Sequence, residues 1–394
     1  MAKLMSDTPY SSGDRDELER INLVKRLSEI IVSADTPITL GVFGEWGSGK
    51  TSLMKMTQEY LEREHQINTV WFNTWQHQHS DHIIIPLLQT IRAVSDSWGI
   101  KGNTLKFLTI LGTTIGDVVL RSVTVGSVSA DSIISLGEKY EKQYFEAKSV
   151  FLKIQDNFAE AVKEVVGEDG RLVIFIDDLD RCLPEKSLEI LEGLKIYLSV
   201  PQVVFVLGAD AAVLNRAVKS RYKDSESIND IRNYLDKLIQ MSFEIPKMSE
   251  TIATRYCQIL VSQLVIGDES LLQGYIPIIV KSLDKNPRKI KKLFNSLAFI
   301  WDLIPYYDYK FDKNDERLVI KILTYKLGGL PLGLDDPGKF IYLETAVFEE
   351  NTPEIMKLVS RDTDRMIELM KMEPQQSNLD KVKMIWEQLA LIHL

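Results

Sequence analysis

The run Gly44-Glu45-Trp46-Gly47-Ser48-Gly49-Lys50-Thr51 packs three glycines, a lysine and a hydroxyl into one short stretch. Glycine reaches left-handed backbone angles without a Cβ clash, so consecutive N–H groups can turn inward around a phosphate. The pattern fits GxxxxGK[ST]. In it, Lys50 reaches the β- and γ-phosphates of a nucleoside triphosphate and the Thr51 hydroxyl ligates Mg²⁺. Glu45, Trp46 and Ser48 of the loop and Ser52 just after it complete the expected cofactor-binding set. A helix opening at Lys50 aims the positive end of its dipole at the same spot.

Roughly 130 positions later, Leu172 to Ile176 is an unbroken apolar run that ends in Asp177 and Asp178. A carboxylate at the end of a buried strand is costly unless positive charge compensates it. Mg²⁺ beside Thr51 would supply that charge, with Asp177 acting on the metal through a coordinated water. Asp178 then orients or polarises the attacking water, or else caps the following helix, a role Asp also favours. Other titratable residues carry less. His77, His79 and His82 beside Asp81 lack the one-face spacing of a metal-binding helix and are expected to be loop histidines and not zinc ligands. Trp71 and Trp75 read as packing residues. Two cysteines, Cys182 and Cys257, can build neither a disulfide framework nor a Cys-based zinc site, and they suit a reducing cytoplasm.

The elements that must hold these groups follow from periodicity. Asp14 to Val32 reads as an amphipathic helix with Leu18, Ile21, Val24, Leu27 and Ile31 on one face, stopped by Pro37. Ile38 to Phe43 is a strand, Lys50 to Glu64 a helix and Asn68 to Phe72 a strand. Leu188, Leu191, Leu194 and Leu198 mark a further helix, and Val203 to Leu207 a strand leading to Gly208, Ala209 and Asp210. This alternation predicts an α/β fold, a P-loop-type parallel sheet with helices on both faces. A compact βαβ crossover needs about 30 residues, far fewer than lie between Lys50 and Asp177. A mainly helical insertion is therefore expected at about 90–168. Its part from Tyr140 to Val165 carries apolar residues at alternating steps of four and three, the seam of a long helix packed on its own domain, with an intermolecular coiled coil as the alternative. Beyond Pro246 the pattern turns helical. The expected domains are 1–246, the nucleotide-binding domain, and 247–394, a helical lid and C-terminal region.

Composition narrows the function classes. The 394 residues are 45% hydrophobic and 26% charged, as in an ordinary globular protein, and carry a formal net charge of −9. That balance argues against a generalised nucleic-acid-binding surface, so nucleic acid is not favoured as a partner. Phe107 to Leu120 is the most membrane-like segment. Its charge-free core falls short of the roughly 20 apolar residues of a spanning helix, and Asp117 and Arg121 interrupt it. It is expected to be buried or peripheral.

Leu172 to Cys182, ending Asp-Asp-Leu-Asp-Arg-Cys, resembles the KAP family of P-loop NTPases when taken with Gly44 to Thr51 and Trp71-Phe72-Asn73-Thr74-Trp75. That family is related to the STAND and AAA+ ATPases, and the resemblance runs from about Asp14 to Asn295. It implies an insertion between the two motifs, often with transmembrane helices. It also implies a polar γ-phosphate sensor near Asp210, for which a helix cap is the alternative. Asn286-Pro287-Arg288 looks like the second sensor of AAA+-like proteins, with Arg288 contacting nucleotide from a helical lid; a solvated basic face is the alternative. Arg181, Arg216 and Arg221 remain candidates for an arginine finger or for structural ion pairs.

ATP is expected over GTP, because the strand Val203 to Leu207 leads to no Asn-Lys-x-Asp element, and the segment before Leu18 is expected to contribute to the adenine pocket. The reading is a slow ATP- and Mg²⁺-dependent switch acting through a homo-oligomer or a protein partner, with a role in defence or signalling suggested by the family alone. The alternatives are a nucleic-acid-acting ATPase and a scaffold that binds nucleotide without turnover.

Overall fold

A computed structural model describes residues 4–9, 16–80, 83–95, 98, 112, 155–197, 200–221, 234–264, 269–303, 311–328 and 336–390, less 352, 356–358, 360–362 and 376. Five strands form one sheet: β1 (Ile38–Phe43), β2 (Asn68–Asn73), β3 (Leu172–Asp177), β4 (Val203–Ala209) and β5 (Met241–Glu244). Their spatial order is β2-β3-β4-β1-β5, and every pairing is parallel. β4 thus lies between the strand that leads into the glycine loop and the strand that ends in the aspartates.

The strands are apolar throughout because both faces are covered. Every residue of β3 and β4 is buried. Val173 and Phe175 point to the face covered by α1 (Ile21–Ser33) and α2 (Lys50–His65), where they join Val24, Leu27, Leu53 and Met54. Leu172, Ile174 and Ile176 point the other way, toward α3 (Ile84–Ser95), a helix through 155–166, and α4 (Pro184–Tyr197). Burying the five apolar side chains of β3 contributes on the order of 10 kcal/mol before conformational entropy is counted. β4 leads into α5 (Ala211–Arg221).

After β5 the described residues form helices: α6 (Glu250–Gln263), α7 (Glu269–Ser282), α8 (Pro287–Leu303), α9 (Lys313–Leu327), α10 (Pro337–Phe348), α11 (Thr363–Met370) and α12 (Leu379–Ala390). They share one core that includes Leu260, Ile279, Phe294, Leu323, Phe340 and Trp386. α9 is closed at its start by a capping box in which Asp312 and Asp315 bond each other's backbone N–H.

Some expectations shift. The first helix begins at Ile21, because Glu19 turns the chain with φ 53° and the Asp16 carboxylate accepts from the Ile21 N–H. Leu18 therefore lies outside the helix. β1 has the expected bounds, whereas β2, β3 and β4 run one or two residues further than expected, so Asn73 and Asp177 sit opposite each other in the ladder. β5 has no apolar run to announce it: three of its four residues are exposed at the sheet edge. Of the seam from Tyr140 to Val165, residues 155–165 are helical with Phe158 and Ala161 buried, and the rest lies outside the described residues. The segment 107–120 lies outside them too, apart from Gly112. Among the described residues no helix is long and apolar enough to cross a membrane.

Candidate nucleotide site

A cleft of about 640 Å³ opens where the C-terminal ends of the strands meet the first turn of α8. The glycine loop forms one wall. Gly47 (φ 82°) and Gly49 (φ 93°) take the left-handed angles that the motif requires, and α2 starts directly after them. At Gly47 space matters as well, since a Cβ there would come within 2.6 Å of the Arg288 Cβ. From below, the buried Arg20 guanidinium donates to the Ser48 carbonyl at 3.0 Å, and burial pulls its pKa down.

Lys50 folds over its own loop. Its Nζ donates to the carbonyls of Gly44 (2.7 Å) and Glu45 (3.3 Å), and it pairs with Asp180 at 3.4 Å. Asp180 is a site residue that the sequence reading missed. Thr51 and Asp177 are brought together, with the Thr51 side chain hydrogen-bonded to the Asp177 carboxylate. Burial pushes Asp177 up to about 6, the Asp178 charge adds to the shift, and the Thr51 bond opposes it.

Asp178 sits at the start of a 3-10 turn, Leu179–Arg181, with left-handed angles (φ 59°, ψ 27°), yet its side chain makes no capping bond. One carboxylate oxygen accepts from Asn73 Nδ2 at 2.7 Å and the other from Arg181 Nε at 2.7 Å. The capping alternative thus fails on geometry. Asn73, which the sequence reading quoted but gave no role, fixes this carboxylate from the end of β2.

α8 supplies the opposite wall. Asn286 is buried and does two jobs. Its Oδ1 accepts from the N–H groups of Arg288 (3.1 Å) and Lys289 (3.2 Å), and its Nδ2 donates to the Trp46 carbonyl at 3.0 Å. That ties the start of α8 to the loop. The Arg288 guanidinium lies 4.3 Å from the ring centroid of the exposed Trp46 and pairs with Asp7 at 2.5 Å. Ser6 to Pro9 and Leu18 also line the cleft.

Other candidates stand elsewhere. The Asp210 carboxylate accepts from the Ala212 N–H at 2.8 Å, capping α5, and does not line the cleft. Arg216 is exposed on α5; Arg221 ends that helix, and its side chain lies outside the described residues. Arg181 lines the cleft through its bond to Asp178. His77 stacks on Phe72 with centroids 5.0 Å apart, while Asp81 and His82 lie outside the described residues. Trp71 stacks on Phe175, and the Lys55 ammonium sits 3.6 Å from its ring centroid. Lys55 also faces the cleft, one helical turn past Thr51, with its pKa lowered by burial against the opposing pull of Asp177.

The Phage T7 exclusion protein of Escherichia coli (strain K12) is 22% identical over 312 residues, which make up 71% of this chain and 41% of that protein. The chain thus spans less than half the length of that relative. Among solved structures, the ORC2 protein of Aeropyrum pernix in ADPNP–ADP complexes aligns with a TM-score of 0.42 and 13% identity, covering 98% of this chain and 82% of that one. A Walker-type ATPase of Pyrococcus abyssi aligns with a TM-score of 0.42 and 14% identity, covering 98% and 92%. The description "KAP family P-loop domain" matches residues 20–304. That match takes in the glycine loop, both strand-end aspartates and α8, and the chain belongs to the KAP family of P-loop NTPases.

Proposed function

We propose that this chain binds ATP with Mg²⁺, hydrolyses it slowly, and uses the cycle as a switch that changes its own assembly or the state of a protein partner. The observation that carries the reading is the pairing of Thr51 with Asp177 beside an Asp178 held by Asn73 and Arg181. Thr51 and Asp177 offer hard oxygen donors, and Asp177 makes no ion pair among the described residues, since the nearby Lys50 pairs with Asp180. Such a donor set fits Mg²⁺, which when bound would offset the negative charge of the phosphates. The loop N–H groups and Lys50 would hold the β- and γ-phosphates. Asp178, aligned from two sides, would accept a proton from the attacking water or orient it. Leu18, Tyr256 and Pro287 give the cleft an apolar side suited to a base, and Asp210 is engaged as a helix cap rather than as a reader of guanine.

The cycle is read as slow because its parts lie in one chain with no assigned finger. Arg288 acts from the lid of the same chain in this reading; Arg216 or Arg221 would act across a subunit boundary. Defence against phage is the biological setting we propose, from the likeness to an exclusion protein, and the cytoplasm its location.

Calorimetry and turnover on two variants test the chemistry. Lys50→Ala removes a charged donor to phosphate and should weaken ATP binding about 10- to 100-fold. Asp178→Asn should keep ATP and Mg²⁺ affinity and lower turnover at least about 100-fold. Wild-type turnover in Asp178→Asn would defeat the assignment of that residue. Unchanged affinity in Lys50→Ala would defeat the nucleotide site.

A further inference from the structure

Residues 4–9 run along α8 and are gripped in register. The Asn295 side chain bonds both backbone groups of Met5, accepting from its N–H at 2.9 Å and donating to its carbonyl at 2.9 Å. Lys291 Nζ donates to the Ser6 carbonyl at 3.4 Å, and Arg288 pairs with the Asp7 carboxylate at 2.5 Å. Positions 288, 291 and 295 share one face of the helix, so consecutive residues of the segment meet successive side chains of α8. Two of the three contacts are to backbone and are indifferent to side-chain identity. The third is an ion pair, and its cation is the one the cleft presents to nucleotide.

We infer that residues 4–9 form a strap whose Asp7 occupies Arg288 in the place of a terminal phosphate, and that a nucleoside triphosphate releases the strap by taking that guanidinium. The inference rests on the nucleotide reading of the cleft. A guanidinium fork binds carboxylate and phosphate oxygens in the same geometry, so the two anions compete for it. They also repel each other, since Asp7 lines the same cleft as the glycine loop. The Asp7–Arg288 pair is partly exposed, 51% and 38%, which makes it weak enough to be exchanged.

Release has a place to register. Asp7, Trp46, Arg288 and Lys291 also line a second groove, together with Leu4 and Asn295. The strap runs along the border of the two hollows, so its departure would open one to the other. Nucleotide state would then be legible at Leu4 and Asn295, which line the second groove and not the cleft.

Hydrogen exchange on the full chain tests this with a non-hydrolysable ATP analogue, with ADP, and without nucleotide, always with Mg²⁺. The Met5 amide should exchange faster with the triphosphate analogue, and ADP should leave it protected. Asp7→Asn should expose the strap without nucleotide and bind the analogue about two- to fivefold more tightly. Asp7→Glu, which keeps the carboxylate, should behave as wild type, so a fold defect in the first variant would not pass for release. Unchanged protection at saturating analogue, or equal release by ADP, overturns the strap. Absence of analogue binding to the wild type by calorimetry would instead overturn the nucleotide reading beneath it.

Discussion

Among the described residues, two of the places where charge is buried, one in the C-terminal helices and one at the end of β3, are treated in opposite ways. In the first, Lys321 of α9 is fully buried, and Nζ donates to Glu344 and to the carbonyls of Met370 (2.8 Å), Met372 (3.0 Å) and Pro374 (3.0 Å). Glu344 in turn accepts from the Ser377 N–H (2.7 Å) and hydroxyl (3.1 Å). Burial lowers the lysine's pKa while Glu344 holds it up. Every formal charge there meets an opposite charge or a dipole, and the node ties α9 and α10 to the 370–377 turn. At β3, Asp177 is equally buried, has Asp178 as its neighbour, and receives a hydroxyl but no ion pair among the described residues. A satisfied buried pair is architecture. A buried carboxylate that receives a hydroxyl but no ion pair among the described residues, with its pKa raised, is the kind of group that marks a candidate functional site.

The largest expected effect breaks the satisfied side of that contrast. Lys321→Ala strands the Glu344 charge and should cost about 3–5 kcal/mol of stability, read from urea unfolding. A loss below about 1 kcal/mol would mean the node is not structural. Asp177 should respond with the opposite sign. Its pKa rises from 3.8 to about 6 on folding, so the folded state binds more protons between those values. Stability therefore falls as pH rises through that window and stays lowered above it, by on the order of 3 kcal/mol. In chelator-treated protein, Asp177→Asn should thus be the more stable form above about pH 6, with the advantage gone below about pH 4. A variant less stable than wild type at pH 8 would show that this carboxylate is well compensated after all. The smallest effect belongs to the residue between the two behaviours. Asn73→Ala loosens Asp178 without removing it, and should lower turnover about tenfold at unchanged nucleotide affinity. Equal loss of affinity would mean that Asn73 shapes the cleft instead of aligning the carboxylate.

What was legible in the sequence is what local chemistry dictates. Gly47 and Gly49 stand out because the loop needs backbone angles that other residues resist, and β1, β3 and β4 stand out because strands covered on both faces must be apolar throughout. Asn73, Asp180 and Asp7 carried no such signal. Each is an ordinary polar residue until the fold brings it to its partner, and Asn73 meets Asp178 from 105 positions away. The strand order was hidden for the same reason, since nothing in β4 says that it slots between β1 and β3. β5 is an edge strand with a mostly exposed sequence and no pattern to read. Asp210 shows the limit of motif position: it stands after the right strand, and its carboxylate serves the helix behind it.

The order β2-β3-β4-β1-β5 also sets a timetable for synthesis. Of the five described strands β1 emerges before the others, yet it pairs with β4 and β5 and not with β2. Its earliest neighbour is complete roughly 165 residues later, about 8–33 s at ordinary elongation rates. Through that interval an apolar strand has both edges open, the condition under which nascent chains stick to one another. The glycine loop hangs from that strand, so ATP cannot act as a folding template until β4 has been made. This chain should therefore depend on whatever shields it at the ribosome far more than on the nucleotide it later holds.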